Sequence, residues 1–337
     1  MTATERITPD ALEALICAAL VAAGTDPHNA ASVARALTTA EVDGQKGHGL
    51  SRLASYVAQV QAGKIDGKAE PRVRTSRPGT LIIDAANGFA FPAFDVALDA
   101  LAPAAQQNGI AVASIYRSHH AGALGLVAER LSMQGLVALC FANTPSAMAA
   151  WGGSKGHLGT NPIAFAAPRA GGKPIIVDLA LSVVARGKIM AAAQKGDPIP
   201  VGWALDKRGL PTTNAKAALE GTLLPLGGTK GAALALMVEL LAAGLTGGRF
   251  ASEASSFLDD QGPAPATGQL LIAIDPSATE PNGHALERIG ILAGMMESEP
   301  DVRLPGRRRW VLRERARASG IEVDAAMLEQ ARQLTNE

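Results

Sequence analysis

Six side chains that could support acid–base chemistry beside an anionic ligand stand among glycines, at the ends of sequence elements. These residues are His48, Arg52, His120, Thr160, Asp178 and Lys230. An arginine can form two parallel hydrogen bonds to a carboxylate, and a histidine can exchange a proton near neutral pH. The residue types therefore fit a carboxylate-bearing substrate next to a phosphate-bearing cofactor, with a histidine moving a proton during hydride transfer.

The stretch 116–162 has the layout of a ligand cleft. It begins with adjacent imidazoles, His119 and His120, in a turn of small residues, and it ends in a glycine-rich loop that closes on the sequence GTNP. Residues 110–115 and 136–142 are continuous apolar runs, a pattern that predicts buried strands. Because each run ends in small and polar residues, a ligand can approach the backbone there.

Each candidate also has an ordinary structural interpretation. His48 can be a loop histidine satisfied by backbone groups, and Asp178 can cap the turn after an apolar strand. Lys230 can be a solvated lysine in the first turn of a helix, and the arginines at 307–309 can form an exposed face. For the histidine pair both interpretations stay open, although two neighbouring imidazoles are an unusual choice for packing alone.

Capping residues and spacing place these side chains on predicted elements. Thr8 or Asp10 can cap a first helix, and residues 26–27, Asp-Pro, can start a second helix that ends near position 42. His48 and Arg52 are four residues apart at the start of a third helix, so they can project to one side.

The remaining elements follow from apolar periodicity. Residues 72–84 alternate and precede the dipeptide Asn87-Gly88, which together predict two antiparallel strands. The run 231–245 is interpreted as a buried core helix, since it carries Glu239 and is shorter than a membrane span. Lys230 follows glycines at the start of this helix, where unpaired N–H groups favour an anion. Further helices are predicted over 91–108, 183–195 and 301–337, and further strands over 163–167, 174–178 and 270–274.

Composition and missing motifs narrow the class of protein. Of 337 residues, 47% are hydrophobic, and 31 basic residues match 31 acidic ones, which argues against nucleic acid or a membrane as partner. Cys17 and Cys140 lie in apolar runs and the N-terminus has no apolar secretion segment, so a reduced, cytoplasmic protein is expected. No Rossmann fingerprint, P-loop or H-E-x-x-H is present, and no metal is expected.

Six segments together resemble a known family. DGQKGHGLSRL is similar to the D-x-x-x-S-H-G-x-x-R segment of the malate/L-lactate dehydrogenase family, which lacks a Rossmann fold, and SHHAGALG resembles its histidine-containing cofactor loop. The segments AAWGGSKGHLGTNPIAFAAP, IIVDLALSVVARGKI, GGTKGAALALMVELLAAGLTG and GQLLIAIDP follow in the family's order. The combination of GTNP, VD-x-A and KG-x-x-L is specific, and the resemblance extends over nearly the whole chain.

The resemblance implies an α+β, mixed α/β fold with a largely antiparallel cofactor-binding sheet. It implies a helical N-terminal segment, 1–70, that packs with C-terminal helices in 275–337, and an NAD(P)-binding and substrate core in 71–274. Family members are cytoplasmic, usually homodimeric and NAD(P)-dependent. They interconvert small 2-hydroxy and 2-oxo acids such as malate, lactate and sulfolactate, and one branch reduces pyrroline-2-carboxylate and piperideine-2-carboxylate.

Family roles carry over position by position. His48 and His120 match proton-transferring histidines, and Arg52 and Thr160 match substrate contacts. The matching cofactor contacts are His120, Ala121, Gly122, Ala123, Leu124, Asp178, Leu179, Ala180, Thr229, Lys230 and Arg307. The arginines at 307–309 could neutralise a 2′-phosphate, which favours NADP while NAD stays open.

Two departures from the family pattern bear on the substrate. Gly47 replaces the serine that usually precedes the histidine, and Lys188 stands where the imine branch carries a relay aspartate. A Ser-His-Asp relay cannot be assembled from these positions, which favours a dehydrogenase for small 2-hydroxy acids. A ketimine reductase is the alternative, and a non-catalytic cofactor-binding protein of the same fold is the third interpretation.

Overall fold

Within residues 3–335, which the computed structural model describes, helices flank a central sheet. The helices are α1 (Pro9–Ala22), α2 (Pro27–Val42), α3 (Leu53–Gln61), α4 (Ala90–Asn108), α5 (Gly125–Ser132), α6 (Arg186–Lys195), α7 (Ala215–Leu219), α8 (Thr229–Glu239), α9 (Ala285–Glu297), α10 (Arg307–Ser319) and α11 (Ala325–Gln333). A π-helical segment, Leu240–Gly244, continues α8, and short 3-10 turns lie at Lys46–His48, Leu50–Arg52 and Pro276–Ala278.

The strands of the described residues belong to three sheets. They are β1 (Thr4–Ile7), β2 (Arg72–Arg77), β3 (Thr80–Asp84), β4 (Ile110–Ser118), β5 (Val137–Ala142), β6 (Met148–Ala149), β7 (Gly156–Leu158), β8 (Ile163–Ala167), β9 (Ile175–Leu179), β10 (Ala204–Leu205), β11 (Pro211–Thr212), β12 (Thr222–Leu223), β13 (Thr267–Ile274) and β14 (Ile321–Asp324). A small sheet has the order β11-β10-β12-β6-β7, and β1 pairs with β14.

The main sheet has seven strands in the order β2-β3-β4-β13-β5-β8-β9. Every neighbouring pair is antiparallel except β3 and β4, which run parallel and are joined through α4. A parallel pair needs such a crossover, because a tight turn reverses the chain. The prediction of a mixed α/β fold with a largely antiparallel sheet is confirmed.

Successive residues of the central strands face two different cores. In β5, Ala138 and Cys140 pack into the larger core, which α1 to α5 cover. Leu139 and Phe141 face a second core, covered by α6, α7 and α8. Because side chains alternate along a strand and both faces are covered, the central strands read as continuous apolar runs in the sequence.

The first two helices begin at the caps expected from the sequence. Thr8 Oγ1 accepts a hydrogen bond from the N–H of Ala11 at 3.2 Å, and Asp26 Oδ1 accepts one from the N–H of His28 at 2.9 Å. Each helix then opens on a proline, whose missing N–H would have no partner there. α2 ends at Val42, so the turn that carries His48 follows it directly.

The strands predicted over residues 72–84 form, but their turn lies elsewhere. β2 and β3 pair antiparallel, and the chain reverses at residues 78–79. Asn87, with a φ of 60°, and Gly88 lie in the connection to α4 instead. Asn87-Gly88 as the hairpin turn is therefore wrong: the dipeptide supports a left-handed backbone, but the register of the two strands selects the earlier turn.

The apolar helix over residues 231–245 is not a fully buried core helix, and that interpretation is wrong. One side of α8 and of the π-helical segment packs into the second core. On the other side Leu236, Leu240 and Leu245 are 51%, 54% and 71% exposed. Among residues 3–335, every helix falls short of the length and apolar character that a membrane crossing requires.

A buried ion-pair cluster joins α10 to the end of α2 and to α5. Arg313 donates to both carboxylate oxygens of Asp43 at 2.7 Å and also to Glu129, and Arg309 Nη1 donates to Glu129 at 2.9 Å. The side chain of Asp43 is 1% exposed. Arg309 thus faces inward, so the prediction that it helps to neutralise a 2′-phosphate is wrong for this residue.

Candidate active site

His48 and Arg52 lie at the ends of the two 3-10 turns that follow α2. Between the turns, a Cβ on Gly49 would lie 2.1 Å from Glu41 Oε2, so the site needs glycine. The same carboxylate accepts the N–H of Leu50 at 3.0 Å. Arg52 folds back over the turn, where its Nε donates to the carbonyl of Gly47 at 2.7 Å. A bound carboxylate would therefore meet the two terminal Nη groups of this arginine.

His48 and His120 lie together although they are distant in the sequence. Their ring centroids are 5.3 Å apart, and the ring planes are 20° from parallel. The hydroxyl of Tyr56, a fully buried residue of α3, lies 2.7 Å from Nδ1 of His120. This hydrogen bond fixes the imidazole plane and leaves Nε2 as the nitrogen of His120 that can exchange a proton with a ligand.

His119 is held by a hydrogen bond to Gln59 and supports the turn that carries both histidines. Gln59 Nε2 donates to the carbonyl of Phe257 at 3.1 Å, so the amide oxygen of Gln59 faces His119 Nε2 at 2.9 Å. An amide oxygen can only accept, and Nε2 of His119 therefore carries the ring hydrogen. His119 is a neutral residue bound to α3, next to the histidine that faces His48.

The imidazoles are neutral in this environment. Burial, followed by the charge of Arg52, lowers the pKa of His48 to about 4, while the carboxylate of Asp178 acts in the opposite direction. Burial and then neighbouring cations also lower the pKa of His119 to about 3 and that of His120 well below its ordinary value. A carboxylate paired with Arg52 would cancel a positive charge that acts on every one of these rings, so such a ligand favours protonation.

The loop 120–124, which the resemblance assigns to the cofactor, runs from the histidine pair to α5. Gly122 has a φ of 65°, and a Cβ there would lie 2.8 Å from the ring of Phe91. Both the left-handed backbone and the close packing require glycine. Leu124 directly precedes the first residue of α5, so the loop ends at a helix N-terminus. There the N–H groups of Leu126 and Val127 donate to the carbonyls of Ala123 and Leu124, at 3.0 Å and 3.1 Å.

Asp178, near the end of β9, lies between the turn that carries His48 and the start of α5, which follows the His120 loop. Its Oδ2 accepts a hydrogen bond from Nε2 of Gln45, three residues before His48, at 3.1 Å. Gly125, at the start of α5, lies so close that a Cβ would stand 2.7 Å from the same oxygen. Residues 178–180 therefore lie beside both the cofactor loop and the turn of His48.

The loop that carries Thr160 is fixed by a buried carboxylate. Glu239, at the end of α8, accepts hydrogen bonds from Nδ2 of Asn161 at 2.8 Å and from Nδ2 of Asn143 at 3.2 Å. Burial raises the pKa of Glu239, and these donors act against the rise. The network holds Asn161 at a φ of 40°, and the carbonyl of Thr160 accepts the N–H of Leu181 at 2.8 Å. Thr160 thus lies beside the residues that follow β9.

Three assigned cofactor contacts lie apart from the histidine pair. Thr229 and Lys230 are exposed at the start of α8. Arg307 is exposed at the start of α10, and the preceding Gly306 packs against Ile176 of β9. Across residues 3–335, the structure shows no hydrogen bond, ion pair or ring contact between these three side chains and the imidazoles.

Sequence reasoning missed three side chains of this site: Tyr56, Gln59 and Phe257. Tyr56 follows Arg52 by four residues, and this helical spacing could have placed it beside the arginine. Gln59 lies one turn further along α3. Phe257 comes from a distant segment, and nothing in its local sequence indicates a contact with a histidine.

A pair of histidines near an arginine suits proton transfer at a ligand that carries a carboxylate. The chain belongs to the malate/L-lactate dehydrogenase family, whose family model matches residues 7–332. The family that the six sequence segments resemble is therefore confirmed.

The similar proteins include a hydroxy-acid dehydrogenase and a cyclic imine reductase. The chain is 49% identical to (2R)-3-sulfolactate dehydrogenase (NADP(+)) of Chromohalobacter salexigens over 95% of each protein. It is 41% identical to a Δ1-pyrroline-2-carboxylate/Δ1-piperideine-2-carboxylate reductase of Pseudomonas syringae pv. tomato, over 98% of this chain and 96% of that protein. The crystal structure of Δ1-piperideine-2-carboxylate reductase from the same organism matches with a TM-score of 0.93, over 98% of this chain and 100% of that chain.

Proposed function

We propose that this chain is an NADP-dependent dehydrogenase that interconverts a small 2-hydroxy acid and its 2-oxo acid, with sulfolactate-type acids as the first candidates. The relative at 49% identity is an NADP-dependent dehydrogenase of (2R)-3-sulfolactate. One observation carries the proposal: His48 and His120 stack at 5.3 Å, and the charge of Arg52 acts on both rings. A carboxylate and the neighbouring carbon-bound oxygen of one small substrate can therefore meet both groups at once.

Each residue of the cluster has a defined role in this proposal. Arg52 binds the substrate carboxylate through its Nη groups, because its Nε is engaged by the backbone. His120 exchanges the proton through Nε2, since Tyr56 binds Nδ1. Because like charges at this separation repel, protonation of His120 disfavours protonation of the stacked His48, so the pair carries one positive charge at most. Thr160 contacts the substrate from the loop that Glu239 fixes.

The surrounding residues fit a dinucleotide. The loop 120–124 leads from the histidine pair to the N-terminus of α5, and the positive end of a helix dipole suits a phosphate. Residues 178–180 border the same loop, Thr229 and Lys230 offer a further helix N-terminus, and the exposed Arg307 can pair with a 2′-phosphate. Bound NADPH supplies the hydride in such a site.

A ketimine reductase is the second candidate, because the chain is 41% identical to a pyrroline/piperideine-2-carboxylate reductase and has the same fold. The details of His48 favour the hydroxy-acid function. Its Nδ1 is buried and, within the described part of the chain, has no hydrogen-bond partner. Gly47 has no side chain and Lys188 carries an ammonium group, so neither position supplies a hydroxyl or carboxylate to that nitrogen.

A substrate panel tests the function. NADPH oxidation would be followed with sulfopyruvate, oxaloacetate, pyruvate and pyrroline-2-carboxylate. The reverse reaction would be followed with the hydroxy acids of the three 2-oxo acids and with proline. We expect turnover of a 2-oxo acid, with the highest kcat/KM for sulfopyruvate. Turnover of the cyclic imine alone would select the ketimine reductase. Binding of NADPH by calorimetry without turnover of any compound would select the non-catalytic interpretation.

The coenzyme choice has its own test at Arg307. Replacing Arg307 by alanine should raise the KM for NADPH and leave the KM for NADH unchanged, because only NADPH carries the 2′-phosphate. Arg317→Ala, an exposed arginine further along α10, is the matched control. An NADPH preference that survives in Arg307→Ala would remove this residue from the cofactor site.

The proposal extends to a cytoplasmic homodimer. Both cysteines, Cys17 and Cys140, are unpaired, which suits a reducing compartment. The exposed leucines of α8 and the π-helical segment, Leu236 and Leu240 among them, form an apolar face that a second copy would cover. Light scattering should give the mass of a dimer for the wild type and of a monomer for Leu240→Glu. The division into 1–70 with 275–337 and a core of 71–274 is likewise part of this proposal.

A further inference from the structure

Residues 249–266, which we name the strap, lead from the region after α8 to β13 and pass beside the histidine pair. At the base of the strap, the N–H of Arg249 donates to the carbonyl of Ala266 at 2.9 Å. The N–H of Ala251 donates to Glu239 Oε1 at 2.6 Å. The strap therefore starts from the same carboxylate that fixes the GTNP loop.

A buried lysine holds the tip of the strap. The side chain of Lys64, just after α3, is 1% exposed. Its Nζ donates to the carbonyls of Asp259 and Gln261, at 2.9 Å and 2.6 Å, and to the carboxylate of Asp259 at 3.3 Å. These acceptors match the three hydrogens of an ammonium group. Because a buried cation without partners is strongly unfavourable, Lys64 and the strap tip hold each other in place.

Between these anchors Phe257 covers the imidazoles. Its ring centroid lies 5.0 Å from that of His119 and 5.2 Å from that of His120. The carbonyl of Phe257 also accepts the hydrogen bond from Gln59 described above. The ring is only 7% exposed, so it separates the two imidazoles from solvent on this side.

We infer that Lys64 is a positioning residue for proton transfer, an inference that rests on the proposed function of His120. By fixing residues 259–261, Lys64 keeps Phe257 against the imidazole of His120. The covered ring has one orientation, and water does not compete for its proton. Within residues 3–335, Lys64 makes no hydrogen bond to Arg52 or to the cofactor loop. It acts by holding the strap, and besides burial its charge also lowers the pKa of the neighbouring His119.

The test replaces Lys64 by methionine, which keeps the aliphatic stem and removes the cation. Lys68→Met, an exposed lysine of the same connection, is the matched control. We expect kcat to fall about tenfold, less than the ~100-fold loss that a displaced reacting group can cause. The KM values for the 2-oxo acid and NADPH should match the control, because the groups that bind them stay in place.

A second measurement does not depend on turnover. Diethyl pyrocarbonate modifies accessible imidazoles, and the peptide that carries His119 and His120 can be followed by mass spectrometry. Modification of this peptide should be severalfold faster in Lys64→Met than in Lys68→Met. Equal modification rates together with equal kcat values would overturn the inference. If the wild type turns over no substrate, the proposed function fails, while the modification rates still decide whether Lys64 keeps the imidazoles covered.

Phe257→Leu asks the same question should Lys64→Met fail to fold. The control is Phe250→Leu, in the same strap, where the phenylalanine is 40% exposed. Phe257→Leu should lower kcat and speed up modification of His119 and His120, and Phe250→Leu should do neither. A Phe257→Leu enzyme that behaves as its control would show that the strap does not position the imidazole.

Discussion

Two buried polar clusters of this protein differ in how well their groups are satisfied. In the ion-pair cluster, Arg313 donates to both oxygens of Asp43 and also to Glu129, so opposite charges offset one another. In the histidine cluster, His48 and His120 are neutral, and Nδ1 of His48 lacks a hydrogen-bond partner within residues 3–335. A cluster in which every charged group has a partner holds helices together. A cluster that contains a polar atom without a partner can still bind a ligand.

The first cluster should yield the largest effect on stability. Arg313→Met leaves the buried carboxylates of Asp43 and Glu129 with too few donors. Removing one partner of a buried ion pair costs about 3–5 kcal/mol, and we expect this loss in the free energy of unfolding from urea denaturation. Arg317→Met, on the exposed side of the same helix, should change it little. Equal stability of the two variants would show that the ion pairs do not support the fold.

The largest effect on activity is expected at Arg52. Two hydrogen bonds between charged groups contribute about 1.5–3 kcal/mol each, so Arg52→Met should lower kcat/KM for the 2-oxo acid by about 10²- to 10⁴-fold. Arg52→Lys keeps the charge but loses the fork and should be intermediate. The KM for NADPH serves as the internal control. A loss confined to NADPH would mean that Arg52 binds the cofactor.

Acid should weaken the fold through the histidine cluster. His48 has a pKa of about 4 in the folded protein and about 6.5 when unfolded, so the unfolded state binds more protons between these values. Its contribution to stability is complete above pH 6.5 and is lost as the pH falls towards 4, at up to about 1.4 kcal/mol per pH unit. Urea denaturation at pH 7 and pH 5 should show a smaller difference for His48→Asn than for the wild type. An unchanged difference would mean that His48 is not buried in its neutral form.

The smallest effect is expected from Tyr56. Tyr56→Phe removes one hydrogen bond to His120, worth about 0.5–1.5 kcal/mol, and should lower kcat by about 3- to 10-fold. Tyr116→Phe, at the other tyrosine of the chain, is the control. Stopped-flow measurement of the single-turnover rate would isolate the chemical step. A loss in substrate affinity alone would contradict the role of Tyr56 in orienting the imidazole.

Local rules in the sequence predicted much of the fold. Caps at Thr8 and Asp26 and continuous apolar runs predicted helices and strands, because these features act over a few residues. The turn near Asn87 was misplaced because pairing between strands, which is not local, decided the register. The exposed side of α8 was read as buried, since apolar residues alone do not show what covers them.

The sequence predicted the residues that could carry the chemistry, but not the residues that hold them in position. His48 and Arg52 could be paired from their spacing. His120 and Thr160 were candidates from their residue types and positions, and the resemblance supplied a role for each. The partners Tyr56, Gln59 and Phe257 act through contacts between segments far apart in the chain, and no local pattern encodes such contacts. Their hydrogen bonds and ring contacts are nevertheless what give the imidazoles their orientation.

The pairing of β1 with β14 has a consequence for biosynthesis. Thr4 lies opposite Asp324, so β1 is synthesised about 300 residues before the strand that pairs its backbone groups. Contacts of such sequence separation form slowly. A nascent chain that stops before β14 would therefore leave the edge of β1 unpaired, and unpaired strand edges are prone to aggregation.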